Sequence, residues 1–140
     1  MKKWPPDNFS RFPKDFQSEI LDEVPNFDED YYKYIESWVL ESEVPVFLLN
    51  KDILKDNLGT FERIPQDVLD IVNEKWGTSM KTKKVLDKRA DRYLEYAKMN
   101  ADTAKPSTMI NGEIVWGTAR FVASLVRGDE GIYVWKIKAD

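Results

Sequence analysis

The dipeptide Asn111-Gly112 constrains the fold more than any other feature, because it separates two short apolar runs near the end of the chain. Asn-Gly favours the type I′ turn, whose two central residues both take positive φ and whose twist matches that of two antiparallel strands. The pattern therefore predicts a β-hairpin formed by Ser107–Ile110 and Glu113–Trp116.

An amphipathic helix over Gly117–Arg127 is expected directly after the hairpin. At 100° per residue, its apolar side chains share one broad face and its polar side chains form a narrow stripe on the other side. The apolar face holds Phe121, Val122, Leu125 and Val126, and the polar stripe holds Arg120, Ser124 and Arg127. Gly128 suits the C-terminal cap of this helix, and the alternation over Ile132–Ile137 predicts a final strand.

Helices dominate the prediction upstream of the hairpin. Three prolines and three aromatic residues in the first 13 positions indicate an extended arm, which would cover this domain or dock on a partner. The expected helices are Lys14–Val24, one opened by Asp28-Glu29-Asp30, Pro65–Trp76 and Thr82–Asn100. Lys51–Phe61 is predicted to be irregular or a single turn.

Two further elements complete the prediction. The helix opened by the three carboxylates has a stripe at 3/4 spacing that we expect to be buried: Tyr31, Tyr34, Ile35, Trp38 and Val39. Val44–Leu49 is a short apolar run, and its Pro45 suits the start or the edge of a strand.

These elements predict an α+β fold, a small mixed sheet with surrounding helices and an N-terminal helical extension. The four strands would be Val44–Leu49, Ser107–Ile110, Glu113–Trp116 and Ile132–Ile137. Because the chain has 140 residues, we expect one compact domain, with the arm and first helices over residues 1–43 and the α+β core over residues 44–140.

Composition excludes several kinds of chemistry. The chain has no cysteine and no histidine, which excludes disulfides, Cys/His zinc sites, thiolate nucleophiles and imidazole acid-base catalysis. No metal site is predicted, since the acidic residues lack the spacing of a calcium loop. No apolar run approaches the length of a membrane span and the start lacks the apolar segment of a signal peptide, so we expect no membrane partner and a cytoplasmic location.

The turn at Gly117 is the strongest candidate for a binding site. Its glycine permits close approach, and the amides of the first helical turn together with the Arg120 guanidinium would suit a phosphate group. The alternative is that Gly117 turns the chain, Thr118 caps the helix and Arg120 is solvated. Local pattern leaves both interpretations open.

The same region carries a family resemblance. The stretch 110–123, INGEIVWGTARFVA, and the stretch 127–135, RGDEGIYVW, resemble the ParB/sulfiredoxin-like superfamily, in which a hairpin leads into a G-x-x-R-x-x-A helix and an I-x-V strand follows. Gly117, Arg120 and Ala123 match the motif positions. The resemblance covers the region from Val44 to Lys138, with Val44–Leu49 as the family's first strand.

The resemblance implies a nucleotide site, because this turn binds nucleotide phosphate in the family. Carried over by position, Gly117, Thr118 and Arg120 would contact phosphate, and CTP or ATP with magnesium would be the candidate ligands. Sulfiredoxin activity is excluded, since it needs a cysteine in the turn. Thr118 and Ala119 replace the Glu-Arg or His-His of other members, which removes the usual acid-base or second phosphate-binding group, so a non-catalytic or weakly catalytic protein is expected. The helix-turn-helix region of ParB is missing, so sequence-specific partition-site binding is not expected.

Charge adds electrostatic candidates. The net charge is −4, so nucleic-acid binding would require a local basic patch. Such support for phosphate is predicted from Lys83, Lys84, Arg89, Arg92 and Arg127. The alternative is a solvated helix face with i,i+4 ion pairs. The acidic N-terminal half would mimic DNA, bind a basic partner surface, or serve helix capping and solubility.

Two functions from different classes follow. One is a non-catalytic or weakly catalytic protein of ParB/sulfiredoxin-like type that binds nucleotide or nucleic-acid phosphate. The other is a ligand-free protein-protein interaction module, such as a phage or plasmid accessory protein that acts on a host complex through its N-terminal aromatic arm and acidic helices. A shared fold would not decide between them.

Overall fold

The structure is a computed structural model that describes residues 4–84, 90–98 and 105–139. Its α-helices are α1 (Lys14–Glu23), α2 (Glu29–Glu36), α3 (Asn50–Asp56), α4 (Gln66–Trp76), α5 (Ala90–Ala97) and α6 (Thr118–Arg127), and 3-10 helices cover Asp7–Arg11 and Leu58–Arg63. Its strands are β1 (Val39–Leu40), β2 (Val46–Leu49), β3 (Ser107–Ile110), β4 (Glu113–Trp116) and β5 (Gly131–Lys138). The predicted α+β class is confirmed.

The sheet is mixed and centred on β5. Strand β3 runs parallel to β5 on one side, and β4 pairs antiparallel with β3. On the other side of β5, β2 pairs with its first half and β1 with its last residues, both antiparallel. The described strands therefore leave two edges, one formed by β4 and the other by β1 and β2.

Two hydrophobic clusters cover the two faces of the sheet. Helices α3 to α6 pack on one face, where the fully buried side chains include Val68, Leu69, Phe121, Leu125 and Val134. Residues 4–38, which we call the N-terminal layer, pack on the other face. That second cluster joins Phe16, Ile20 and Ile35 to Trp116, Trp135 and Ile137 of the sheet. The fold therefore has three layers, with the sheet in the middle.

The predicted hairpin is present at the predicted residues. Asn111 and Gly112 take φ of 50° and 89°, as a type I′ turn requires. Gly117 and Gly128, with φ of 79° and 81°, bound α6 at its two ends. Because L side chains rarely adopt these angles, glycine is what allows the chain to pass so quickly from strand to helix and back to strand.

Helix α2 is shorter than predicted, and its stripe is only partly buried. Ile35 and Trp38 are buried, whereas Tyr31 and Tyr34 are exposed. The prediction that Val39 lies on this buried stripe is wrong, because Val39 begins β1 and pairs with Lys138. Pairing with β5 replaces a further helical turn there, and tyrosine tolerates exposure because its hydroxyl can face water.

The segment around residues 51–61 is more regular than predicted. It forms α3 and the 3-10 helix Leu58–Arg63, which bury Ile53, Leu54 and Phe61. Pro65 precedes α4 as its N-cap residue rather than occupying its first helical position. The prediction that residues Thr82–Lys84 are helical is wrong. The backbone amides of Lys83 and Lys84 donate instead to the Glu62 carbonyl. The predicted residues 85–89 and 99–100 lie outside the described residues.

The N-terminal arm packs on its own domain. Phe9 and Phe12 are buried, and residues Asp7–Arg11 form a 3-10 helix where an extended arm was expected. These aromatic anchors are therefore used within the fold.

Among the helices of residues 4–84, 90–98 and 105–139, none combines the length and the apolar composition of a membrane span.

Candidate functional site

The turn that carries the sequence motif joins β4 to α6. Gly117 is the N-cap residue of α6, and no side chain caps the first turn of this helix. The hydroxyl of buried Ser107, at the start of β3, donates to the Gly117 carbonyl at 2.9 Å. This hydrogen bond therefore links the turn to the start of β3. Thr118 does not cap α6.

Arg120 folds back over this turn and binds other parts of the chain. Its Nη1 donates to the Pro106 carbonyl at 2.9 Å, and its Nη2 donates to Glu19 Oε1 of α1 at 2.8 Å. The side chains of Arg120 and Glu19 are only 15% and 9% exposed. An ion pair with this little exposure holds α1 against the start of β3 and the start of α6.

The same geometry explains why position 117 is glycine. A Cβ atom there would lie 2.7 Å from Ser107 Oγ and 2.8 Å from Arg120 Nη2, closer than real side-chain contacts allow. Both the positive φ and the path of the guanidinium exclude a side chain. The spacing G-x-x-R thus has a structural role in this chain, because the glycine makes room for the arginine three residues later.

The other polar side chains of α6 form a second, partly buried network. Arg127 binds Asp129 Oδ2 at 2.8 Å through Nη2 and at 2.9 Å through Nε. The hydroxyl of Ser124 donates to the same carboxylate oxygen and accepts from the side-chain amide of Asn50. The predicted polar stripe is therefore real, but it faces other protein groups and holds the start of α3 to the end of α6.

The predicted basic residues are dispersed as far as the structure describes them. Lys83 is exposed, and its Nζ lies 3.0 Å from Glu62 Oε1. Both residues line a cavity to which Arg120 does not contribute. Lys84 is exposed. Arg89 lies outside the described residues, and the description of Arg92, in α5, extends only to its backbone. Among the five predicted electrostatic residues, Arg127 is the one whose described side chain lines a cavity with Arg120.

Two adjoining cavities open beside the Arg120–Glu19 ion pair. One of about 360 Å³ lies between α1 and the sheet, where Asp15, Glu19 and Asp22 face Trp135. The other, of about 220 Å³, is lined by Arg120, Arg127, Asp129 and the aromatic rings of Phe47 and Tyr133. Lys105 and Pro106 line both. We call the two cavities together the sheet-end cleft.

Phe47 and Tyr133 form an exposed aromatic pair at this cleft. They are cross-strand neighbours in β2 and β5, their ring centroids are 5.3 Å apart, and they are 47% and 57% exposed. Residues 133, 135 and 137 share one face of β5. The N-terminal layer covers Trp135 and Ile137 but leaves Tyr133 accessible, so this end of the face lies open.

Glycine at position 131 is part of the same arrangement. A Cβ atom there would overlap the Leu48 carbonyl oxygen and lie 2.7 Å from the ring of Phe47. The ring therefore rests directly on the backbone of β5. No motif in the sequence marks Phe47, Tyr133 or Glu19 as a site residue. Phe47 and Tyr133 occupy alternate positions of predicted strands, and this alternation is the signal that points to the pair.

No protein-family model matches the chain, and comparisons with curated proteins and with solved structures find no match. The resemblance to the ParB/sulfiredoxin-like superfamily therefore stays a prediction, as does the assignment of Gly117, Thr118 and Arg120 as phosphate contacts. Among the described residues, no group of three acidic side chains is placed to hold a metal ion.

We expect Arg120 and Glu19 to be energetically coupled. Arg120→Met leaves the Glu19 carboxylate buried without its partner. Glu19→Met likewise leaves the Arg120 guanidinium without its carboxylate partner. Each single substitution should lower the free energy of unfolding by about 2–4 kcal/mol, and the double variant should lose less than the sum by at least about 1 kcal/mol. Urea unfolding of the four proteins measures this. Additive losses would contradict a direct interaction.

Proposed function

We propose that the chain is a protein-protein interaction module that binds an extended segment of a partner at the sheet-end cleft. The observation that carries the proposal is the open edge of β2 beside the exposed rings of Phe47 and Tyr133. Extended segments bind proteins by adding a strand to a free sheet edge, with main-chain hydrogen bonds for affinity and side-chain pockets for specificity.

The backbone of β2 is oriented for such binding. The backbone N–H of Asn50 donates to the Glu130 carbonyl, and these two residues continue the antiparallel register of β2 with β5. Hydrogen-bonded pairs alternate with non-bonded pairs in an antiparallel ladder, so the N–H and C=O of Phe47 point away from β5. Among the described residues, neither group takes part in a backbone hydrogen bond outside the sheet. An added strand would bond to them.

The opposite edge of the sheet is partly protected by a buried side chain. The side chain of buried Asn57 accepts from the Ile114 amide at 2.9 Å and donates to the Gly112 carbonyl at 3.0 Å. Asn57 thereby occupies the outward-facing N–H of Ile114 in β4 and the carbonyl of Gly112 in the turn before this strand. Proteins protect free edges against unwanted pairing, so an edge left open beside aromatic side chains favours a binding role.

The side chains around the β2 edge add recognition groups. Tyrosine and arginine are enriched among residues that dominate binding energy, and here Tyr133 lies beside Arg127 at the cleft. The rings of Phe47 and Tyr133 are held by each other and by the backbone at Gly131. Little conformational freedom would be lost when a partner covers them.

Selection from a random 12-residue peptide library tests the proposal. Wild-type protein should enrich sequences of alternating apolar residues, and a variant with Phe47→Thr and Tyr133→Thr should bind the enriched peptides at least tenfold more weakly. Threonine keeps the β-propensity of both positions. Val115→Thr, at an exposed position of β4, is the matched control and should bind as the wild type does. No enrichment, or equal binding by the double variant, would refute the proposal.

Phosphate binding at Gly117, Thr118 and Arg120 is the second candidate function. It is supported by the uncapped N-terminus of α6 and by the cationic side chains of Lys105, Arg120 and Arg127 in the smaller cavity. The interaction module is favoured over it because both terminal nitrogens of Arg120 already bind Glu19 and Pro106. A phosphate would have to compete with these partners.

Thermal unfolding with CTP, ATP and their magnesium complexes tests this second candidate. A ligand present at 100 times its dissociation constant stabilises the folded state by about 2.7 kcal/mol, which raises the melting temperature by several degrees. Phosphate binding predicts such a rise in the wild type and a smaller ligand-dependent rise in Arg120→Gln. An unchanged wild-type melting temperature at millimolar nucleotide would exclude it.

A further inference from the structure

The side of the sheet formed by β1 and β2 carries the most accessible apolar side chains. Val44, Val39 and Tyr133 are 63%, 62% and 57% exposed, and among the described residues no other large apolar side chain is as accessible. Val39 begins β1, Val44 lies just before β2, and Tyr133 is the cross-strand neighbour of Phe47. Exposed apolar side chains gathered at one edge are typical of a surface that another molecule covers.

A free strand edge with apolar side chains is a hazard, because it pairs readily with other chains. Two copies of one chain close such an edge when the same strand of each pairs with the other about a two-fold axis, and this symmetry makes the pairing antiparallel. Interfaces between identical subunits are also more apolar than those of transient complexes. The apolar character of this edge therefore favours a second copy over a charged segment as its occupant.

The hydrogen-bonding pattern of β2 places such an axis at Phe47, whose N–H and C=O point away from β5. A residue on the axis opposes itself, so the N–H of each Phe47 would donate to the C=O of the other. Pro45 has no N–H to donate. Leu49 is the N-cap residue of α3, and an N-cap carbonyl accepts the first hydrogen bond of its helix. Phe47 is therefore the residue of β2 best suited to reciprocal bonding.

Side chains complement this pairing on both faces of the sheet. Opposed side chains of an antiparallel pair are neighbours, so the two Phe47 rings would lie together, each already packed on its own Tyr133. Four aromatic rings would then cross the interface. On the other face, Val46 and Leu48 pack against the cluster formed by α3 to α6, and Val46 of one copy would oppose Leu48 of the other.

We propose that two copies of the chain form a homodimer through antiparallel pairing of β2 about a two-fold axis at Phe47. This inference rests on the proposed function, since it uses the same open edge and names a second copy as the partner there. Charge agrees with the axis. Glu43 and Lys51 are exposed and lie four residues before and four residues after Phe47, so the symmetry brings opposite charges to the same side of the interface.

Sedimentation equilibrium at about 1–300 µM protein tests for the dimer. Dimers form by mass action, so the wild type should reach twice the 16.4 kDa mass of one chain at the upper concentrations. Phe47→Thr with Tyr133→Thr keeps β-propensity but removes the aromatic rings, and it should weaken dimerisation at least tenfold. Val115→Thr, on β4 at the other edge, is the matched control and should dimerise as the wild type does.

A disulfide tests the position of the axis. The chain has no cysteine, so a single introduced cysteine can be linked only between two copies. Directly opposed, hydrogen-bonded residues have Cα atoms about 5.5 Å apart, which a disulfide can span. Phe47→Cys should therefore give a linked dimer under mild oxidation. Val44→Cys changes an exposed residue three positions from the axis and should link at least tenfold more slowly, because its two copies would be about 20 Å apart.

A wild-type mass of one chain at the highest concentration, or equal linkage of the two cysteine variants, would overturn the dimer. Circular dichroism confirms that each variant is folded. A monomeric wild type that still enriches peptides would overturn the second copy as the partner and leave the proposed function standing. Efficient linkage of Phe47→Cys without any peptide enrichment would support the dimer and refute binding of other segments at this edge.

Discussion

The Arg120 guanidinium is the group on which the arrangement of the layers depends. It joins the carboxylate of Glu19 in α1 to the backbone carbonyl of Pro106, just before β3, and it crosses its own turn at Gly117 to do so. Apolar packing holds most of the N-terminal layer to the sheet and has no directional preference. A second ion pair of α1, between Asp22 and Lys105 at 3.9 Å, is exposed and therefore contributes little. The Arg120–Glu19 ion pair fixes where α1 lies along the sheet, and therefore where the N-terminal layer stops and the sheet-end cleft begins.

The Gly117-x-x-Arg120 motif has a structural role here that its expected role in phosphate binding does not require. A glycine, an arginine three residues later and an uncapped helix start suggest an anion site, yet the arginine binds groups of its own chain. The sheet-end cleft, with Phe47 and Tyr133, stays accessible. It exposes aromatic rings beside Arg127, and aromatic residues and arginine are enriched at protein interfaces.

The sequence predicts those features that depend on neighbouring residues. Asn111-Gly112 determines the hairpin, and Gly117 and Gly128 delimit α6, because local backbone angles decide them. The partner of Arg120 could not be predicted, since Glu19 is 101 positions away and nothing local marks it. The open β2 edge and the exposure of Tyr133 also depend on how far the N-terminal layer extends over the sheet, which is a property of packing between distant segments.

Hydrogen–deuterium exchange of α1 tests most directly whether Arg120 fixes the N-terminal layer to the sheet. Amides in α1 should exchange faster in Arg120→Gln than in the wild type, because local opening of this layer loses a stabilising contact, while amides of α4 on the other face keep their protection. Unchanged exchange in α1, or an equal increase in α1 and α4, would contradict the claim.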